Sequence, residues 1–229
     1  FPYLNTSCFL QGGDGVLWIG SKTSIVRYDG QEFLPITMGE EKAPIQTNQL
    51  LGSRDGSIWA ATGRGLVRLD PLSFAAERYP LDHPRAKGTD GLAVLSMGWA
   101  GRGRLLCSTL HGIFLFDTVS TSYVELQTKG DEPAKACPHP MQPDSLLHGL
   151  WVETWNRGLM FYDTIAGTLH QRGDERLPAP WVGEHLICLA PDGEGGYWAS
   201  AHLRNAMHHI DVKTGSTRTW SKVPGSKDL

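Results

Sequence analysis

The stretch VLWIGSKTSIVRYD at residues 16–29 decides the fold, because it returns four more times along the chain. The other copies are SIWAATGRGLVRLD at 57–70, RLLCSTLHGIFLFD at 104–117, LWVETWNRGLMFYD at 150–163 and GYWASAHLRNAMHHID at 196–211. Their final aspartates are 41, 47, 46 and 48 residues apart. A period of about 40 to 50 residues is typical of propeller blades, each of which is one four-stranded sheet.

A large side chain recurs in the first half of every repeat. It is tryptophan in four copies and leucine in the third, at positions Trp18, Trp59, Leu106, Trp151 and Trp198. A large aromatic ring at such a position can wedge between neighbouring sheets, where one face packs on another. We therefore predict that these side chains lie at the boundaries between blades.

Turn residues also recur in step. A glycine stands five residues before the final aspartate in three copies, as Gly65, Gly112 and Gly158, where a hairpin turn needs positive φ. The aspartate ends the strand that follows, and its carboxylate can cap the next turn. Asp-Gly pairs at 14–15, 55–56 and 192–193 mark an earlier hairpin in three copies.

The predicted fold class is therefore all-β, a β-propeller built of four-stranded antiparallel blades with five repeats present. The expected blades cover residues 7–36, 47–79, 91–126, 137–171 and 184–221 of a single domain or fragment. The fourth blade is the weakest, because CPHPMQPD at 137–144 carries three prolines where its first strand should lie. A sandwich or barrel is the alternative, but it would place the recurring residues in step only by coincidence.

Composition narrows the function classes. The chain has 229 residues and a net charge of −3, and the basic stripe of a nucleic-acid-binding domain is missing from the sequence. No apolar run reaches the length that spans a bilayer. The cysteines Cys8, Cys107, Cys137 and Cys188 are scattered without a C-x-x-C pair, so we expect buried free thiols, with one disulfide or a ligand role as the alternative.

The stretch DGVLWIG at 14–20, followed by VRYDG at 26–30, resembles the regulator-propeller repeat of two-component systems. GLVRLD at 65–70 and GLMFYD at 158–163 are similar to the same repeat, and the resemblance spans about residues 7 to 221. This repeat forms the periplasmic sensor region of hybrid two-component sensor histidine kinases in gut Bacteroidetes. Family members contain seven-bladed propellers, so five repeats imply either a fragment of such a ring or five blades that close on themselves.

What the resemblance implies about function follows from that family. The chain would be an extracytoplasmic, periplasmic module that recognises an oligosaccharide and controls polysaccharide-utilisation genes, and it would not itself be an enzyme. Its partners would be the remaining propeller blades or domains of a longer protein that carries a membrane span and a histidine kinase, and a second copy in a homodimer. A polysaccharide hydrolase or lyase, and an interaction scaffold without a small ligand, are the alternatives.

The candidate ligand site is the rim formed by the loops between second and third strands. Arginine forks suit carboxylate or sulfate groups, and an exposed indole offers a flat face for a sugar ring. The alternative is that these charges are only solvated and that the tryptophan packs on a neighbouring blade. The predicted rim residues are Lys22, Arg64, His111, Trp155, Asn156, Arg157, His202 and Arg204, with Asn205 beside them.

Metal and catalytic signatures are weak in the sequence. His208 and His209 are adjacent on a predicted strand and so point to opposite faces, and no zinc-ligand spacing appears. His139 is flanked by prolines and is expected to be a loop residue. Glu153 and Glu184 are the carboxylates that a propeller hydrolase could use. We predict no catalytic residue, no metal and no cofactor.

Overall fold

The computed structural model describes residues 5–36, 46–86, 92–128, 132–135, 137–171, 186–201, 206–211 and 213–221. Within these residues the chain forms five four-stranded antiparallel sheets and one short 3-10 turn at Pro84–Ala86. No helix of the described residues is long and apolar enough to cross a bilayer. The predicted all-β fold built of four-stranded antiparallel blades is confirmed.

The five sheets follow one another along the chain, and each contains four consecutive strands. The first contains β1 (Thr6–Gln11), β2 (Leu17–Ser21), β3 (Ile25–Tyr28) and β4 (Phe33–Ile36). The second contains β5 (Thr47–Gly52), β6 (Ile58–Thr62), β7 (Gly65–Leu69) and β8 (Ala76–Tyr79). The third contains β9 (Ser96–Trp99), β10 (Arg104–Thr109), β11 (Gly112–Asp117) and β12 (Ser122–Leu126). The fourth contains β13 (Gln142–Asp144), β14 (Gly149–Thr154), β15 (Gly158–Asp163) and β16 (Thr168–His170), and the fifth contains β17 (Leu186–Pro191), β18 (Gly196–Ala201), β19 (Ala206–Asp211) and β20 (Thr217–Ser221).

Every sheet is a simple meander, in which each strand pairs with the one before it. The register shows why the repeat has its length. In the second sheet Trp59 on β6 pairs with Leu51 on β5 and with Arg68 on β7, and Arg68 pairs with Glu77 on β8. Four short strands and three tight turns use most of one repeat, and the remainder connects to the next sheet.

The hydrophobic core is divided among the boundaries between consecutive sheets. Four buried clusters join the first sheet to the second, the second to the third, the third to the fourth and the fourth to the fifth. Trp18, Trp59 and Trp151 each lie buried in the cluster shared with the following sheet, and Leu106 does the same in the third sheet. The predicted role of this position as a boundary residue is confirmed for these four repeats.

The fifth sheet differs from the other four at this position. Trp198 is 39% exposed, although its counterparts are buried. It lies on one face of the sheet together with the exposed side chains of Met207 and Trp220, and its ring centroid is 5.5 Å from that of Trp220. This face points away from the fourth sheet, because the cluster shared with the fourth sheet contains Tyr197 and Ala199 instead.

The turn residues behave as their chemistry predicts. Gly65, Gly112 and Gly158 have φ values of 100°, 152° and 69°, so the predicted positive φ is confirmed. In all five repeats the final aspartate accepts two backbone N–H bonds from the turn that follows. The acceptors are Asp29, Asp70, Asp117, Asp163 and Asp211.

The proline-rich entry to the fourth sheet still forms a strand. β13 is only three residues long and contains Pro143, which a sheet tolerates here because β13 lies at the edge and pairs with β14 alone.

Cys8, Cys107 and Cys137 are free thiols; Cys107 and Cys137 are buried and Cys8 is half-buried. The expectation of buried free thiols is confirmed for Cys107 and Cys137, whereas Cys8 is free but only half-buried. The Cys188 side chain lies outside the described part of the structure.

Candidate functional site

The sheets present two ends where loops gather. Because neighbouring strands are antiparallel, loops between first and second strands leave at one end and loops between second and third strands at the other. The sequence-predicted rim belongs to the second kind of loop. A cleft lined by described residues lies at the opposite end, between the second and third sheets.

The rim residues are distributed over separate loops. Lys22, His111, Trp155 and Asn156 are exposed, whereas Arg64 and Arg157 are half-buried. Trp155 is 44% exposed, which leaves part of the indole facing solvent. His202, Arg204 and Asn205, the fifth loop's contribution, lie outside the described residues.

Two of the rim residues form hydrogen bonds that stabilise the fold. The Asn156 side chain accepts a hydrogen bond from the Lys135 backbone N–H at 2.9 Å and donates to the Pro133 carbonyl at 3.0 Å. Arg157 donates to the Glu132 carbonyl and, at 3.4 Å, to Gln171. These bonds hold the segment 132–135 against the fourth sheet, so Asn156 and Arg157 are partly committed to the fold.

The cleft between the second and third sheets, named the interblade cleft here, has a volume of about 720 Å³. That size is typical of sites for small ligands. It combines two indoles, those of Trp59 and Trp99, with three guanidinium groups and a carboxylate, which is a lining suited to a polar ring with negative substituents. The lining residues on which this depends are Arg54, Asp55, Trp59, Arg68, Trp99 and Arg102.

The hydrogen bonds of the cleft fix its walls. The Trp99 indole N–H, at the end of β9, donates to the Gly52 carbonyl at the end of β5 over 2.8 Å, so the two sheets are joined at the cleft. Arg68 pairs with Asp55 at 2.8 Å. Hydrogen bonding from the Ser57 side chain holds the pKa of Asp55 well below its usual range, so this carboxylate is ionised when it meets Arg68.

The other two arginines of the cleft are available to a ligand. Within the described residues, neither Arg54 nor Arg102 forms a hydrogen bond or an ion pair with another side chain or backbone group. Arg102 also has a positive φ of 52°, between Gly101 at 76° and Gly103 at 70°. Left-handed backbone is unfavourable for a residue with a side chain, and such positions cluster at binding sites.

A third group of polar side chains lies where the sequence suggested only a loop residue and an isolated carboxylate. Cys137, His139 and Glu153 place one potential metal-ligand atom each within 4.8 Å of one another. His139 Nδ1 lies 2.6 Å from Glu153 Oε2. Burial raises the pKa of Glu153, opposed by the hydrogen bond from His139, and burial followed by the Glu153 charge raises the pKa of Cys137 to about 12.

The cleft and this cluster were not predicted from the sequence, because each depends on residues that lie outside the recurring positions or far apart in the chain. Trp99 and Arg102 stand outside the recurring columns, and Cys137 and Glu153 are 16 residues apart in sequence. The signals were present, since Trp99 is an extra indole at a strand end and Gly101-Arg102-Gly103 is an unusual hairpin. The two histidines of β19 were placed correctly, because His208 bonds Thr219 on one face and His209 bonds Asp192 on the other.

Comparison with solved structures places this arrangement among β-propellers. The extracellular domain named for the hybrid two component system BT4673 from Bacteroides thetaiotaomicron matches 97% of this chain and 31% of its own, at 19% identity and a TM-score of 0.70. That of BT3049 from the same organism matches 93% of this chain and 29% of its own, at 15% identity and a TM-score of 0.66. A streptogramin B lyase matches 96% of this chain and 70% of its own, at 16% identity and a TM-score of 0.71.

These similarities agree with the sequence resemblance in fold. Extracellular domains of two-component systems are the structures to which the regulator-propeller repeat pointed. No protein-family model and no curated protein matches the sequence. The chain spans 31% or less of the two-component structures that it matches, and the identities are low enough that they establish the fold alone.

Proposed function

We propose that this chain is the ligand-sensing propeller of an extracytoplasmic receptor in a two-component system, and that it binds an anionic oligosaccharide. The fold that it shares with extracellular domains of such systems supports the sensor class. The observation that carries the ligand class is the lining of the interblade cleft by Arg54, Arg102 and Trp99; within the described part of the chain, neither arginine has a hydrogen-bond or ion-pair partner. Within this proposal the module sits in the periplasm, and signalling is carried out by other domains of a longer protein.

The chemistry of the cleft selects the ligand. Trp99 offers an apolar ring face, and the guanidinium groups of Arg54 and Arg102 present planar forks that match carboxylates and sulfates. The Arg68–Asp55 pair keeps a third charge neutralised within the same lining. A sugar that carries uronate or sulfate groups meets both requirements, whereas a neutral sugar leaves both arginines unpaired.

The rim remains the second candidate for the same ligand, and it competes with the cleft. It retains an exposed Trp155 with Lys22 and His111 on other loops at that end. Since Asn156 and Arg157 already hold the segment 132–135, the rim offers fewer uncommitted donors than the cleft. Both surfaces can be tested in one series of variants.

Isothermal calorimetry with panels of neutral, uronate-containing and sulfated oligosaccharides tests the proposal. We expect binding of acidic sugars only, weakening as salt rises, and a loss of at least about tenfold for Arg54→Ala and for Arg102→Ala. Trp155→Ala should bind normally and serves as the matched control. If Trp155→Ala loses affinity and the arginine variants do not, the ligand sits on the rim. Cleavage of a bound polysaccharide would instead favour the hydrolase or lyase alternative.

The exposed aromatic face of the fifth sheet supports a role for neighbouring blades or a second copy as partners. Trp198 occupies the repeat position that is buried against the following sheet in the other four repeats. Met207 and Trp220 extend the same apolar face. A further blade of the longer protein is the partner that the repeat predicts for this face, and a homodimer is the alternative, distinguished by sedimentation of the chain alone and of a longer one.

A further inference from the structure

We propose that Cys137, His139 and Glu153 form a binding site for a divalent transition metal of the zinc class. Each supplies one ligand atom, a thiol sulfur, an imidazole nitrogen and a carboxylate oxygen, and these atoms lie within 4.8 Å of one another. Three such ligands with one open position define a tetrahedral zinc site. The inference does not rest on the proposed sensing function, since metal binding can be measured without any sugar.

Backbone pairing brings the three residues together. The Cys137 N–H donates to the Glu153 carbonyl over 3.0 Å, and the Trp155 N–H donates to the Lys135 carbonyl over 2.7 Å. These two bonds lay the segment that carries Cys137 alongside the end of β14, where Glu153 is part of the strand. His139 follows two residues later and turns its ring back onto the same carboxylate. Of the three ligands, Glu153 is held within β14, and the Cys137 backbone is tied to that strand by its hydrogen bond.

Burial of the site favours a bound cation. Cys137 is 3% exposed and the Glu153 side chain is 6% exposed, so water cannot fully solvate the charged form of this carboxyl group. A metal ion between the sulfur, Nδ1 and Oε2 would satisfy all three groups at once. The His139 side chain is 29% exposed, which leaves a path from solvent to the site.

The geometry needs only a small adjustment to accept the ion. His139 Nδ1 and Glu153 Oε2 are 2.6 Å apart, joined by a hydrogen bond whose proton lies between them. Zinc bonds of about 2.0–2.3 Å separate neighbouring ligand atoms by more than 3 Å in a tetrahedron. The metal would therefore replace that proton and displace the half-exposed imidazole outward, while the strand-held carboxylate stays in place.

The same three residue types also occur in cysteine-nucleophile sites, but the arrangement here argues against one. A nucleophilic cysteine requires surroundings that stabilise the thiolate. Here the thiol is buried, and the closest charged group is the Glu153 carboxylate, which disfavours a second negative charge.

Titration of the intact chain with Co²⁺, followed by competition with Zn²⁺, tests the site. We expect one equivalent of Co²⁺ with the absorption bands of tetrahedral, thiolate-bound cobalt, displaced by Zn²⁺. Cys137→Ser should abolish the thiolate band, and Glu153→Gln should weaken binding more than about a hundredfold, since outer partners of ligands alone account for up to that much. Cys8→Ser, which removes a thiol from the first sheet, should leave the titration unchanged.

Two results would overturn the site. One is an absence of tetrahedral cobalt absorption in the unmodified chain at saturating Co²⁺. The other is equal affinity in the unmodified chain, Cys137→Ser and Glu153→Gln.

Because the loss of a buried group can unfold the fourth sheet, each variant is also melted without metal. His139→Ala alters a half-exposed side chain and provides a second variant that should fold. In a thermal melt, Zn²⁺ should raise the Tm of the unmodified chain and not that of His139→Ala.

Discussion

The hydroxyl of Tyr197 in the fifth sheet donates to the Asp144 carboxylate in the fourth sheet over 3.0 Å, and the Trp151 indole N–H donates to the same oxygen over 3.0 Å. The other carboxylate oxygen accepts the backbone N–H groups of Leu146 and Leu147. One buried carboxylate therefore ties a turn, a boundary indole and the next sheet together.

Tyr197→Phe removes one of these bonds and leaves the ring in place. We expect a loss of about 1.5–3 kcal/mol in the free energy of unfolding, because a hydrogen bond to a charged buried group is lost. Urea denaturation measures it. Tyr28→Phe is the matched control, since the Tyr28 hydroxyl makes an exposed bond to Gly30 two residues away and its removal should cost little. Equal losses in the two variants would contradict the role of the Asp144 contact.

Gly65→Ala should be strongly destabilising. A Cβ at Gly65 would lie 2.4 Å from the Tyr79 carbonyl oxygen and 2.8 Å from the Leu81 nitrogen, and φ is +100°. Backbone must shift to admit the methyl group, so we expect a loss of at least about 2 kcal/mol by urea denaturation. Gly63→Ala in the same loop is the control, because its nearest neighbour would be the Gln46 side chain at 3.8 Å. A tolerated alanine at 65 would refute the close approach.

The turn carboxylates should make the fold sensitive to acid. Backbone N–H bonds from Glu32 and Gln31, with help from Arg27, lower the pKa of Asp29 to about 2. Since the folded pKa lies below the unfolded value of about 3.9, the stabilisation is complete above that value and disappears as pH falls towards 2. Asp29→Asn keeps an acceptor oxygen without a titrating proton, so its urea midpoint should fall less steeply over this window than that of the unmodified chain.

Asp29→Ala provides the second arm of that experiment. It removes the acceptor, so its midpoint should already be lower at neutral pH. If Asn and Ala variants behave alike at every pH, the carboxylate does not cap the turn in solution.

Arg102→Gly should separate stability from binding. Glycine relieves the left-handed conformation at this position, so we expect a gain of about 0.5–1 kcal/mol in the free energy of unfolding. The same change removes a guanidinium from the interblade cleft and should lower affinity for acidic sugars in calorimetry. Arg54→Ala should lower affinity without the gain in stability. A less stable Arg102→Gly would show that the arginine side chain has a structural partner.

The sequence predicted what is local and repeated. Hairpin glycines, turn aspartates and boundary indoles follow from backbone conformation and side-chain alternation, which can be inferred within a single repeat. The structure confirms them at Gly65, Asp70 and Trp59. The proline-rich stretch looked like a poor strand, yet Pro143 fits because β13 needs pairing on one side only.

Features that depend on two repeats at once could not be predicted in the same way. The interblade cleft exists because Gly52 ends one strand beside Trp99 at the end of another, a relationship between sheets that no single repeat encodes. The cluster of Cys137 and Glu153 likewise depends on a connecting segment that runs beside a strand. Whether the repeats form a larger ring is set by contacts beyond any one repeat.

Dividing the core into four separate clusters has a mechanical consequence. Each cluster is shared by only two consecutive sheets, so we expect the packing at one boundary to change without repacking of the other three. A ligand bound between the second and third sheets would lie against the boundary that Trp99 and Gly52 join. We expect such a ligand to change the angle between these two sheets first, because the other three clusters share no residue with this boundary.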